Sequence, residues 1–273
     1  MPTKISIILA SRIKGNKNSD IINLIETSCS KAFDKNSFEF LIKFDDDDED
    51  AKIIAEKISK LPVSTNIIVT PRGKGYADLH KAYLDLFMIA DKDSEIFWVV
   101  SDDMIIESDG WDKLLIDAFN ENIGKTFVMH AAKLKNLVNS SVTHSVESVD
   151  CYPIWTRKWL CSAGFGYSFS TDGWTGLIEY LLFRDYGIDN RVYVEGIKYR
   201  RKIDEEIDGV NAPRWNNERK TMITMLSNEN FVKIAEETTS SVASKIYIEG
   251  RVLKFDLRSL RHQLIRLFKF RKK

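Results

Sequence analysis

Three cysteines, Cys29, Cys151 and Cys161, are too few and too scattered for a disulfide framework, and the absence of a C-x-x-C pair argues against a structural zinc site. A reducing compartment is the expected setting. Proline (5) and glycine (13) are also scarce among the 273 residues, which excludes collagen-like and Pro/Gly-rich disordered classes. No run approaches the roughly 18 apolar residues that a membrane-spanning helix needs. Met1-Pro2-Thr3-Lys4 leads straight into a strand-like segment and does not read as a signal peptide, so the expected location is cytoplasmic. G-x-G-x-x-G and G-x-x-x-x-G-K-[ST] are both missing, which disfavours dinucleotide-binding and P-loop enzymes.

Net charge is missing as well, with 40 Lys+Arg against 40 Asp+Glu, but the balance hides an asymmetry. Residues 251–273 hold nine Lys/Arg and one acid, Asp256, so this tail carries 9 − 1 = +8 and the other 250 residues carry −8. Leu253, Leu257, Leu260, Leu264, Leu267 and Phe268 recur at spacings of three and four, an apolar stripe on a basic helix. Such a helix suits an anionic membrane surface. It would equally suit packing on the parent domain with its cations solvated. Nucleic acid is not expected, because the rest of the chain is acidic and carries no recognition motif.

What is present is a 44% hydrophobic chain, long enough for one large α/β domain or two small ones. Apolar runs at 5–10, 38–44, 66–70 and 96–101 predict strands, and periodic segments near 19–33, 51–61 and 76–90 predict the helices between them. Strands alternating with helices imply a mainly parallel sheet flanked by helices, Rossmann-like in plan. Further on, the pattern predicts a helix from Trp111 to Phe119, a strand at 126–130 and a polar excursion at 134–150. A short helix at 153–161, a longer one at 171–186 and a strand at 192–199 complete it. In such sheets ligands bind at the carboxyl ends of the strands.

Acidic residues gather where those ends should be: DDDDED at 45–50, Asp102-Asp103 after the fourth strand, and Asp172 opening a helix. Carboxylates crowded at one sheet edge repel each other unless a divalent cation or hydrogen-bond donors offset them. The 45–50 run would otherwise be a solvated loop, with one or two acids near its start facing a ligand. Asp102 and Asp103 interrupt an apolar element, IFWVV before and Met104 to Ile106 after, and buried acids need partners unless they serve only a turn. His130 and His144 are possible metal or phosphate contacts, and Arg200 and Arg201 could neutralise a diphosphate or stand solvated.

Together ISIILASR, EFLIKFDDDDED, NIIVTPRGKGYADLHKAYL, EIFWVVSDDM and GWDKLL resemble the donor half of GT-A fold glycosyltransferases, particularly the large inverting, family-2-like group that uses nucleotide-diphosphate sugars. The resemblance spans roughly 3–200. It implies a GT-A catalytic domain over 1–200, with a donor half at 1–130 and an acceptor half at 131–200. A helical C-terminal extension, 201–273, would then carry the basic tail. It further implies donor nucleotide contacts from Ser11, Arg12, Asp45 or Asp46, Arg72, Gly73, Gly75 and Asp102. Asp102 and Asp103 would form the DXD-like site for Mn2+ or Mg2+, with Asp103 favoured because Ser101 stands where a strict D-x-D has its first acid. Asp172 would be the general base on a glycan or glycolipid hydroxyl, unless it merely caps its helix. Tyr152, Trp155 and Trp174 would stack on the acceptor sugar, or lie in the core. A nucleotidyltransferase is disfavoured because Ser11-Arg12-Ile13-Lys14-Gly15 lacks its Gly-rich loop. A non-catalytic carbohydrate- or nucleotide-binding relative is the other alternative.

Overall fold

The computed structural model describes residues 3–15, 19–131, 151–166, 171–201 and 224–249. The 134–150 excursion, His144, residues 202–223 of the C-terminal extension and the basic tail 251–273 lie outside the described residues.

The first half follows the expected alternation. Strand β1 (Lys4–Ser11) leads to α1 (Ile21–Lys31), β2 (Phe38–Asp45) to α2 (Glu49–Ile58), and β3 (Ser64–Thr70) to a 3-10 turn (Gly75–Asp78) and α3 (Leu79–Met88). Strand β4 (Ser94–Val99) follows, then a three-residue strand β5 (Met104–Ile106) and α4 (Trp111–Asn120). The second half comprises β6 (Val128–His130), β7 (Ile154–Thr156), α5 (Arg157–Ala163), α6 (Thr171–Tyr186), β8 (Arg191–Tyr193), β9 (Tyr199–Arg201) and α7 (Glu229–Ile248).

Seven strands form one sheet in the order β3-β2-β1-β4-β7-β6-β8. Strands β1 to β4 run parallel, β7 is antiparallel to both of its neighbours, and β8 is parallel to β6. A separate antiparallel ribbon pairs β5 with β9, setting Met104 opposite Arg201.

Side chains alternate across the sheet as strand geometry requires. Ile5, Ile7 and Leu9 with Phe38, Phe40, Ile42 and Phe44 face α1, α2 and α4, where Trp98 packs 5.5 Å from Trp111. Ile8, Leu41, Phe97 and Val99 face the layer of α3, α5, α6 and α7. Both faces of β1 and β2 are covered, which is why these strands read as continuous apolar runs. The C-terminal helix α7 is capped by Asn228, whose side chain accepts from the amides of Asn230 and Phe231 at 3.0 and 3.3 Å. Phe231, Ala235, Thr239, Val242 and Ile246 turn its apolar face onto α5 and α6.

Two expectations are corrected. The segment 153–161 is not one helix: Ile154, Trp155 and Thr156 are buried and form β7, and only Arg157–Ala163 is helical. Thr156 ends the strand by capping that helix, accepting from the Trp159 amide at 3.2 Å. The predicted strand at 192–199 is two strands in different sheets, divided by a turn at Gly196, whose φ of +89° favours glycine. Met104–Ile106, expected only as an apolar resumption, is the strand that receives the second of them.

Candidate active site

The carboxyl ends of β1, β2, β3 and β4 bring most of the sequence-predicted residues to one edge. At the end of β1, Ser11 donates to the Asp102 carboxylate at 2.6 Å. Arg12 bridges the end of β2, with its guanidinium 3.0 Å from Asp45 and 2.5 Å from Asp47. These bonds, that to Asp47 foremost, stabilise the charged guanidinium, and the same contact holds the Asp47 carboxyl below the usual range. Arg72, after β3, adds a longer contact to Asp47 at 3.6 Å. Lys43 pairs with the other oxygen of Asp45.

The acidic run is therefore only partly a solvated loop. Asp46, Glu49 and Asp50 are exposed, and the Asp46 amide donates to the Thr70 carbonyl at 3.0 Å. Asp48 is buried, and its carboxylate accepts from the amides of Ile13 at 2.5 Å and Lys14 at 3.1 Å. One acid thus fixes the loop that carries Arg12, a role invisible in a string of like residues.

The Gly-rich segment folds tightly beside this edge. The Lys74 amide donates to Asp78 at 2.8 Å, and a Cβ on Gly73 would stand 2.9 Å from that of Asp78. Only glycine fits there. Gly75, with φ +65°, completes the turn.

Asp102 and Asp103 meet different surroundings. Burial raises the Asp102 pKa above its ordinary value; the Ser11 bond opposes that rise and the neighbouring Asp103 charge adds to it. The Asp20 amide donates to the Asp102 carbonyl at 2.8 Å, drawing the start of α1 against the site. Asp103 is only 2% exposed. Arg201 of β9 reaches it with Nη2 3.1 Å and Nε 3.2 Å from Oδ2, and the Ser101 hydroxyl donates to Oδ1. Ser101 also lies 3.1 Å from the Tyr152 hydroxyl. Of the two candidate arginines, then, Arg201 faces the site, while Arg200 pairs with Glu107 at 3.0 Å.

Asp172 is half-buried in the first turn of α6. It belongs to the same neighbourhood: the pKa of the buried Tyr83 hydroxyl is raised first by burial and then by the charges of Asp172, Tyr152 and Asp102. Tyr83 was not predicted as a site residue. Its place in an amphipathic helix gave no signal beyond packing.

Three candidates lie elsewhere. Trp155 and Trp174 are 0% and 2% exposed, with indole N–H groups bonded to Thr175 Oγ1 at 3.0 Å and the Ala163 carbonyl at 2.8 Å. Both are core residues and present no face for a sugar. His130 is wholly buried, 2.8 Å from Glu179.

Among the described residues no group of three or more His, Cys, Asp or Glu side chains converges on a point that could hold a metal ion. Two adjacent carboxylates at a sheet edge still fit a hard cation that keeps water and phosphate oxygens as its remaining ligands. No helix among the described residues is long and apolar enough to cross a membrane.

No protein-family model matches the chain, and no curated protein matches it in sequence. Solved structures do match it in shape. S. aureus TarS 1-349 superposes with a TM-score of 0.52 at 15% identity, over 95% of this chain and 77% of that one. The mannosyltransferase PcManGT from Pyrobaculum calidifontis, in complex with GDP-Man and Mn2+, gives 0.54 at 9% identity over 91% and 74%. TarS 1-349 in complex with UDP gives 0.51 at 12% over 94% and 91%. At such identities the likeness is one of fold, and the chain has the GT-A-like α/β fold, with a helical C-terminal part, that the resemblance of its segments implied.

Proposed function

We propose that this chain is a metal-dependent glycosyltransferase that moves a sugar from a nucleotide-diphosphate donor to a hydroxyl of a glycan or glycolipid, with inversion. The observation that carries this reading is the meeting of Ser11, Arg12, Asp45, Asp102 and Asp103 at the ends of neighbouring parallel strands, with the charges of Asp102 and Asp172 both acting on the Tyr83 hydroxyl. GDP-Man with Mn2+ in one neighbour and UDP in another support the donor class.

In this reading Asp45 or Asp46 takes the ribose or base, Arg12 and Arg72 flank the nucleotide, and Gly73 and Gly75 let the backbone approach it. Asp102 and Asp103 would hold Mn2+ or Mg2+. The bound ion would offset charge on the departing diphosphate. Asp172 takes the proton of the acceptor hydroxyl as its oxygen bonds to the anomeric carbon and the bond from that carbon to the diphosphate oxygen breaks. Attack from the face opposite the leaving group inverts the centre. Tyr152 is the acceptor-side aromatic that this reading retains. Residues 1–200 form the catalytic unit, 1–130 for the donor and 131–200 for the acceptor, and 201–273 the extension. The extension's basic tail holds a cytoplasmic enzyme peripherally at an anionic membrane.

The test is a thermal-shift panel of UDP, GDP, dTDP and CDP and their common sugar conjugates, with and without Mn2+, on the intact chain and on Asp103→Ala. A ligand at about a hundred times its Kd adds roughly 2.7 kcal/mol of stability, a shift of several degrees. Metal-dependent stabilisation by one nucleotide, lost in Asp103→Ala, is the expected result. If no nucleotide stabilises the chain, the transferase reading gives way to a binding protein of the same fold.

A further inference from the structure

Asp103, the residue proposed to hold a metal, already has a cation. Arg201 approaches Oδ2 through two nitrogens, at 3.1 and 3.2 Å, and lies 3.4 Å from Oδ1, which the Ser101 hydroxyl also occupies. Antiparallel pairing sets Met104 of β5 opposite Arg201 of β9 and so brings the turn that carries Asp103 beside the strand that carries the guanidinium. Asp103 is 2% exposed, and a carboxylate that buried needs a compensating positive charge.

A divalent ion bound to Asp103 would sit about 2.1 Å from a carboxylate oxygen. That places it within about 5 Å of the guanidinium, where two cations on one carboxylate repel strongly. A diphosphate changes this balance, because its oxygens accept from arginine and coordinate the ion at the same time. We infer that Arg201 and a divalent cation are competing partners of Asp103, so that the cation binds weakly until a nucleoside diphosphate arrives to take up the guanidinium. Arg201 is thus a positioning residue that orders the assembly of the donor site: nucleotide and ion enter together, and the ion alone is kept out. The inference rests on the donor-site reading of Asp102 and Asp103 given above.

The experiment measures Mn2+ binding directly, by the paramagnetic signal of the free ion, on the full-length chain without nucleotide and then with UDP and with GDP. Without nucleotide, Arg201→Gln should bind Mn2+ at least about tenfold more tightly than the unmodified protein, a modest demand given the repulsion at this separation. The gap should narrow when the nucleotide that binds is present. Arg201→Gln combined with Asp103→Asn should lose the gain. Arg201→Lys keeps the charge but gives up the two-nitrogen grip, and it should bind the ion more tightly than the unmodified protein even if the Gln variant does not fold. Unchanged or weaker Mn2+ binding in both single variants overturns the inference. A different failure marks the donor reading itself: neither nucleotide binds under any condition, while the nucleotide-free comparison still decides whether Arg201 competes with the ion.

Discussion

The hydroxyl of Ser11 and the carboxylate of Asp102 meet at 2.6 Å although 91 residues separate them in sequence. One ends β1 and the other follows β4, and these strands lie side by side at the centre of the sheet. The bond ties together two loops that the proposed function requires to act on one ligand, and it frames the first prediction.

Asp172→Asn should lower transfer by roughly 10²–10⁴-fold while nucleotide binding, followed by thermal shift, stays within error of the unmodified protein. A general base contributes to the chemical step and leaves the donor contacts at β1 to β4 intact. Equal losses of transfer and nucleotide affinity would show that Asp172 shapes the donor pocket instead.

Asp48→Ala should destabilise the fold by about 1–3 kcal/mol, because the amides of Ile13 and Lys14 would lose the buried, charged carboxylate that accepts from them. For a chain of this size, that is a melting-point loss of several degrees. Nucleotide affinity should fall too, since the loop carrying Arg12 is no longer held. A variant that melts like the parent and binds as well would remove Asp48 from the site's support.

Trp155→Phe separates a core role from an acceptor-stacking role. The indole is fully buried and donates to Thr175, so its loss should lower stability, by about 0.5–1.5 kcal/mol for the hydrogen bond alone, and leave the acceptor KM unchanged. Tyr152→Phe is the contrasting variant, as its hydroxyl stands 3.1 Å from Ser101 at the site. A raised acceptor KM in Trp155→Phe at unaltered stability would reverse the assignment.

Deleting 251–273 removes nine cations and one acid. Co-sedimentation of the full chain with vesicles containing anionic phospholipid should weaken as salt rises and vanish in the truncated chain, because the attraction is screened beyond about 8–10 Å at physiological ionic strength. Binding that ignores salt, or persists in the truncated chain, would assign the tail another role.

The strand and helix sequence of the first hundred residues was legible without coordinates because each strand is buried on both faces and so is written as an unbroken apolar run, as in 5–10 and 38–44. Local pattern failed where three-residue strands depend on a partner. Ile154–Thr156 and Arg191–Tyr193 are too short to carry a period, and they are strands only because β4 and β6 offer an edge to the first and β6 to the second.

The candidate site divides in the same way. That Ser11, Asp45, Arg72, Asp102 and Asp103 lie at strand ends followed from the sequence, since a parallel sheet brings all of its carboxyl ends to one side. Which carboxylate meets which cation did not follow. Asp45, Asp47 and Asp48 are chemically alike in the chain, yet one takes Lys43 and Arg12, one takes Arg12 and Arg72, and one takes two backbone amides. Trp155 and Tyr152 are both aromatic and three positions apart, and only one is in the core. Arg201 reaches Asp103 across 98 positions through the pairing of two three-residue strands. Sequence determines an element when its signal is repeated along the element itself, as burial of a long strand is. Partnership between side chains depends on register and on distances of a few ångströms between remote segments, and only the folded chain decides those.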